Sequence, residues 1–215
     1  MTGLTLFVGN KNYSSWSMRP WIAMTAAGIA FDEVVIPFDF AAGNPDIRAV
    51  SPTGKVPLLR HGDFLVWESL AIIDYVAELF PDAGLWPADR QSRARARSYS
   101  MEMLSGFRAL RGACPMNVRR AKKALDVAED VRSDVARIET IWRQALAQSG
   151  GPFLFGAFTA ADAMYAPVVN RFDVYDLVAD PETLGYMNRV KAHPAFLKWE
   201  EAARAEPWVV IEDEI

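Results

Sequence analysis

The chain has 215 residues, of which 51% are apolar and 23% charged, and a formal net charge of -4. Such values fit one or two globular domains and exclude a disordered, collagenous or coiled-coil chain, and no apolar run approaches the roughly 18 residues that cross a bilayer. One cysteine, Cys114, and two distant histidines, His61 and His193, exclude a disulfide framework and a cysteine zinc cluster.

In chain order, MTGLTLFVGN lacks a basic leader and a cleavage site, so it reads as a strand rather than a signal peptide. Residues 5–8 are its β-rich part, closed by Gly9 and Asn10. A soluble, cytoplasmic, metal-free protein is expected. The segment SSWSMRPWIAMTAAG reads as a helix. Ser14, Ser15 and Ser17 are N-cap candidates, Pro20 fits only a first turn, and Gly28 is a natural stop. Residues 31–38 predict a second strand, and residues 40–52 a loop or short helix. Residues 55–59 and 64–66 predict two short strands around a turn at His61, Gly62 and Asp63. A helix over about 68–79 follows, with Leu70, Ile73, Ala77 and Phe80 at helical spacing. The order is β-α-β-(α)-β-β-α.

Past Pro81, Gly84 and Pro87 the β signal stops. Tyr99, Met103, Phe107 and Leu110 form one helical stripe; Val131, Val135, Ile138, Trp142 and Leu146 form another. Thr159 and Asp162 have the form of a capping box, and His193-Pro194 opens a last helix. The second half is expected to be an all-α bundle of about five helices.

The charge is uneven. Residues 1–83 hold five Lys/Arg against nine Asp/Glu, whereas residues 88–123 hold ten basic residues against two acidic ones, Asp89 and Glu102. The basic stretch is either a solvated helix face or a surface that attracts an anion. It has few interleaved aromatics, which argues against nucleic-acid binding.

Three places could carry chemistry, and each has a plainer structural reading. Pro57 interrupts a good strand, which a cis Val56–Pro57 bond, a bulge or an edge strand would each resolve. Glu68 and Ser69 fall where a strand gives way to a helix, as a simple cap or as a grip on the ammonium and carboxylate of an amino-acid ligand. The SSWS cluster is an N-cap, or a hydroxyl that stabilises a bound thiolate. The absence of CxxC excludes thioredoxin-type redox chemistry. No G-x-S-x-G turn accompanies His61, which argues against a serine nucleophile.

Together, S-x-x-G-K-V-P-x-L, W-E-S-L-A-I-I-D-Y and the later T-A-A-D make the chain resemble the cytosolic glutathione S-transferases over essentially its whole length. NYSSWSMRPW and SLAIIDY look most like the zeta-class and maleylacetoacetate-isomerase branch. The resemblance implies an N-terminal α/β thioredoxin-like domain over 1–82, a linker over 83–87 and an all-α substrate-binding domain over 88–215. It implies glutathione as co-substrate, a small electrophile as second substrate, no metal, a homodimer, and a role in detoxification. Val56, ahead of a cis Pro57, is placed against the cysteinyl part of glutathione, Glu68 and Ser69 at its γ-glutamyl end, and Lys55 at its glycyl carboxylate. Ser14 matches the serine that faces the sulfur, with Ser15 in reserve and Tyr13 third. Trp16 stands where the zeta class has a cysteine, which puts thiol-assisted isomerisation in doubt and narrows the electrophile pocket. Phe107, Arg108 and Arg111 are the expected electrophile-site residues on the basic stretch. Arg171 lies near the zeta-class substrate-binding arginine, but its spacing from Pro167 does not align, and no role is transferred to it. Cys114 is expected to be inert. The alternatives are a glutathione-dependent cis-trans isomerase of an anionic diacid and a non-catalytic binding module of the same fold.

Overall fold

A computed structural model describes residues 3–215. Alternation in LTLFV sets the first layer. In β1, Leu4–Val8, the side chains of Leu4, Leu6 and Val8 enter the main apolar core, while Phe7 faces the opposite side with Ile36, Ile47, Val56 and Leu58. The sheet is completed by β2 (Asp32–Val35), β3 (Leu58–His61) and β4 (Phe64–Val66) in the order β2-β1-β3-β4. β2 runs parallel to β1, and β3 is antiparallel to both β1 and β4. Helices α1 (Ser15–Ala26) and α3 (Ser69–Leu79) pack on one face, and the short α2 (Pro45–Val50) lies on the other.

Two strands are shorter than the sequence suggests, for local reasons. β2 stops at Val35; Ile36 N–H still bonds Val8 at 2.8 Å, but Pro37 has no N–H, and Phe38 N–H turns to the Asn10 side chain at 2.7 Å. β3 begins only at Leu58, after the donor-less Pro57, whose peptide bond with Val56 is cis. The Trp67–Glu68 bond is cis as well.

Pro20 corrects another expectation: it lies inside α1, not in its first turn. A proline there leaves the carbonyl four residues earlier without its helical donor. That carbonyl belongs to Trp16, and the Ser69 hydroxyl of α3 donates to it at 2.9 Å.

The helical half has six helices: α4 (Arg90–Ser105), α5 (Arg108–Ala113), α6 (Glu129–Ser149), α7 (Ala160–Val174), α8 (Pro181–Lys191) and α9 (Pro194–Ala205). The expected stripe through Tyr99 and Phe107 is broken at Gly106. Phe107 adopts a left-handed conformation (φ 55°) that ends one helix and caps the next. The segment 81–87 is no free tether: Leu85 and Trp86 are buried, and Leu85 accepts a bond from Ala160 N–H at 2.8 Å. One apolar core runs from Leu4 to Ala203, with α1 packed against α7 and α9. No helix among the described residues is long and apolar enough to cross a membrane.

Candidate active site

The site is built at the start of α1. Ser14 is the N-cap: its hydroxyl accepts from Ser17 N–H at 3.3 Å and donates to the Ser17 hydroxyl at 2.8 Å. Ser17 in turn accepts from Gly9 N–H at 3.1 Å, which ties the cap to the end of β1. The Ser15 hydroxyl makes no such bond among the described residues and faces a cleft of about 310 Å³. Tyr13, Ser14, Trp16, Lys55, Val56 and Arg111 also line this cleft, so seven of the residues singled out from three separate sequence segments meet there. A second opening of about 540 Å³ adjoins it and shares Ser15, Trp16, Arg111 and Arg171 with it; Arg108 lies on this side.

Arg111 and Arg171 line both openings, and Arg19 is buried against the Trp16 ring. The guanidinium groups of Arg19 and Arg111 lie 4.3 and 4.5 Å from the centroid of the Trp16 ring, the geometry of cation–π contacts. Arg19 is wholly buried; its Nε donates to the Met164 carbonyl at 3.1 Å, and both Nη atoms lack partners. Burial, with Arg171 and Arg111 nearby, pulls its ionisation well below the arginine range. Arg171, also buried, donates through Nε to the Cys114 carbonyl at 2.7 Å and leaves Nη1 without a partner. Burial and Arg111 bring it down to about 10. Arg111 donates to the carbonyls of Leu104 and Gly106 at 3.2 and 3.4 Å. None of these three arginines forms an ion pair with a carboxylate among the described residues. A fixed, poorly hydrated positive field beside the free Ser15 hydroxyl stabilises anions that water would otherwise hold.

Four expected residues stand apart from the cleft wall. Ser69 is fully buried, with its hydroxyl committed to Trp16, so it supports the α1 backbone from behind. Glu68 is the exposed N-cap position of α3, with no side-chain capping bond. Pro57 is buried and does not line the cleft. Phe107 does not line either opening; its left-handed cap conformation accompanies a side chain buried in the main core. Cys114 is buried, and desolvation raises its thiol pKa. Among the described residues no cluster of His, Cys, Asp and Glu is arranged to hold a metal.

Sequence reasoning missed Arg19, set Arg171 aside for its spacing from Pro167, and missed the C-terminal segment. The first two left a trace, since each is a lone cation within an apolar helical run, SMRPWIAM and YAPVVNRF. The C-terminal segment left none. Glu206 accepts from the backbone N–H groups of Lys11 and Asn12 at 2.7 and 3.1 Å, and Trp199 Nε1 donates to the Lys11 carbonyl at 3.0 Å. Arg119 donates to the Glu206 and Trp208 carbonyls and, at 2.9 Å, to the Tyr13 hydroxyl. Tyr13 donates to Glu214, and Asp213 lies on the cleft wall.

This architecture, a four-stranded α/β layer whose first helix starts at a cleft walled by a helical bundle, is shared with known proteins. The family model for the glutathione S-transferase N-terminal domain matches residues 13–79, and that for the C-terminal domain matches residues 118–202. The chain is 29% identical over 189 residues to a probable maleylacetoacetate isomerase from Caenorhabditis elegans, covering 86% of this chain and 87% of that one. A glutathione transferase homologue from Burkholderia gl BGR1, solved with bound glutathione, superposes with a TM-score of 0.73 at 24% identity over 94% of this chain and 98% of that one. A homologue from Sulfitobacter, also with bound glutathione, gives 0.69 at 26% identity over 94% and 98% of the two chains. The protein belongs to the glutathione S-transferase family, as the motifs at residues 51–80 and 159–162 lead one to expect.

Proposed function

We propose that the cleft binds glutathione and directs its thiolate onto a small electrophile, forming a carbon–sulfur bond as the leaving group departs with its electron pair. One observation carries this reading: unbonded Ser15 and the N-cap Ser14 share a wall with Val56, which follows Lys55 and precedes the cis Pro57. Backbone groups of Val56 suit pairing with the cysteinyl part of the peptide, and Lys55 suits its glycyl carboxylate. Glu68 and Ser69 at the start of α3 suit the γ-glutamyl end, Glu68 through its charge and Ser69 through the backbone of its helix turn. The division into residues 1–82, 83–87 and 88–215 belongs to the same proposal, as do a homodimer, a cytoplasmic location and a role in detoxification.

Bringing a thiol from about 8.5 to the mid-sixes requires roughly 2.7 kcal/mol of differential stabilisation. A neutral hydrogen bond contributes about 1 kcal/mol and the helix terminus about 0.3–1 kcal/mol. The serines therefore cannot supply the shift alone, and the buried guanidinium groups are the available remainder. Ultraviolet titration of the thiolate in the glutathione complex tests the assignment. The serine that faces sulfur should, as alanine, raise the ionisation midpoint by about half to one unit. If neither Ser14→Ala nor Ser15→Ala moves the midpoint, the serine role fails. Lack of retention on immobilised glutathione would favour a non-catalytic binding module.

A second reading is supported by Arg111 and Arg171 on the same wall: glutathione-dependent cis-trans isomerisation of an anionic diacid, with the arginines on its carboxylates. The relationship to a probable maleylacetoacetate isomerase agrees with it. Trp16 supplies no thiol, so glutathione itself would be the nucleophile that adds and departs. Turnover of an unsaturated diacid only in the presence of glutathione would distinguish it from simple transfer.

A further inference from the structure

The cleft carries one internal anion. Asp213, in the single helical turn Ile211–Asp213, lines the same wall as Arg111 and Arg171. It is half-buried, whereas its neighbours Glu212 and Glu214 are exposed. Burial raises its carboxyl pKa while Arg171 pulls the other way, so the two groups sense each other. They form no direct ion pair, and Arg171 keeps an unpartnered Nη1. The turn is held in place from both sides: Glu206 is bonded to the backbone of Lys11 and Asn12, and Glu214 to Tyr13. Asp213 is thus a fixed feature of the cleft.

We propose that Asp213 is a specificity-determining residue that sets how strongly the electrophile site takes anionic substrates, acting as a built-in counter-charge to Arg171. A substrate carboxylate entering the cleft shares the arginine field with the Asp213 carboxylate and is repelled by it. A neutral electrophile meets no such competition. Discrimination between two substrates is a difference of affinities, and a like charge placed beside the binding group is an efficient way to create one. The inference rests on the reading of this cleft as the electrophile site.

The test uses chlorodinitrobenzene and its carboxylate analogue chlorodinitrobenzoate as paired electrophiles on the full chain with glutathione. Asp213→Asn and Asp213→Ala should each raise the ratio of kcat/KM for the carboxylate over the neutral compound by about fivefold or more. Asp213→Glu should keep the ratio near that of the native chain, and Glu212→Gln, which removes an exposed charge next door, should leave it within about twofold. An unchanged ratio in both Asp213 replacements, or an equal rise in Glu212→Gln, overturns the proposal. Should no variant turn over either compound, the transferase reading fails separately, and quenching of tryptophan fluorescence by chlorodinitrobenzoate decides the charge question. Tighter binding to both neutral replacements supports the role of Asp213, and equal binding overturns it.

Discussion

The starts of α1 and α7 are built from the same material and end in different states. Each has a hydroxyl residue at the N-cap position and a polar residue three positions later, and both are buried. At α7 everything is satisfied: the Asp162 carboxylate accepts from Leu154 N–H, Thr159 N–H, the Thr159 hydroxyl and the Tyr186 hydroxyl, all at 2.8–3.0 Å. At α1 the cap is closed by Ser14 and Ser17, but Ser15 is left over and the Nη atoms of Arg19 have no partners. A capping motif is therefore not a functional signal by itself. What separates the two ends is unspent hydrogen-bonding capacity, with Ser15 on the cleft wall and Arg19 buried against the Trp16 ring.

The largest effect is expected where the network is closed. Asp162→Asn offers one acceptor oxygen to donors that now share two, and should lower stability by about 2–4 kcal/mol in urea unfolding at pH 5. Burial outweighs the bonds and pushes the Asp162 carboxyl up to about 6. An unfolded aspartate titrates near about 3.9. Between those values the native state holds a proton that the unfolded chain has released. The contribution of Asp162 is thus full below about pH 4 and declines as pH rises through about 6. The gap between the native chain and Asp162→Asn should narrow from pH 5 to pH 7; a widening gap would show that the four donors govern the site instead of burial.

Smaller effects are expected at α1, and they differ between adjacent serines. Ser14→Ala removes the cap and should lower stability by about 1 kcal/mol, whereas Ser15→Ala should change it by less than about 0.5 kcal/mol. Equal losses would mean that Ser15 is structural after all. At Arg19 no net loss is expected. A buried guanidinium without a counter-charge stabilises little, and an apolar residue of similar length commonly replaces one without loss. Arg19→Met should leave the urea midpoint unchanged within about 1 kcal/mol, or raise it. A loss as large as that of Asp162→Asn would place Arg19 with the structural residues.

Much of this molecule is legible from residue order. Gly9-Asn10 and Gly28 mark real ends, Thr159 and Asp162 mark a real helix start, and the Gly54-Lys55-Val56 part of one family motif lies on the cleft wall. These features are local, and local chemistry fixes them. Ser69 shows where locality fails. Its position at the start of α3 suggests a ligand, yet its hydroxyl serves a carbonyl freed by a proline on another helix. Phe107 fails for a related reason, since helical spacing predicts its face only while the helix continues, and Gly106 ends it. Arg19 is lost to sequence reading, and Arg171 is noticed without a role, because arginine is ordinarily exposed and only tertiary packing buries it. Asp213 depends on the fold of the last turn against the first loop, which no spacing rule connects.

The bonds from Glu206 and Trp199 to Lys11 and Asn12 join residues more than 180 positions apart. A chain emerging from the ribosome presents residues 4–26 long before those partners exist. Until α9 and the segment beyond it are made, the loop that presents Ser14 and Ser15 lacks its final backbone bonds. The loop at the candidate site is thus completed only by a segment made more than 180 residues after it.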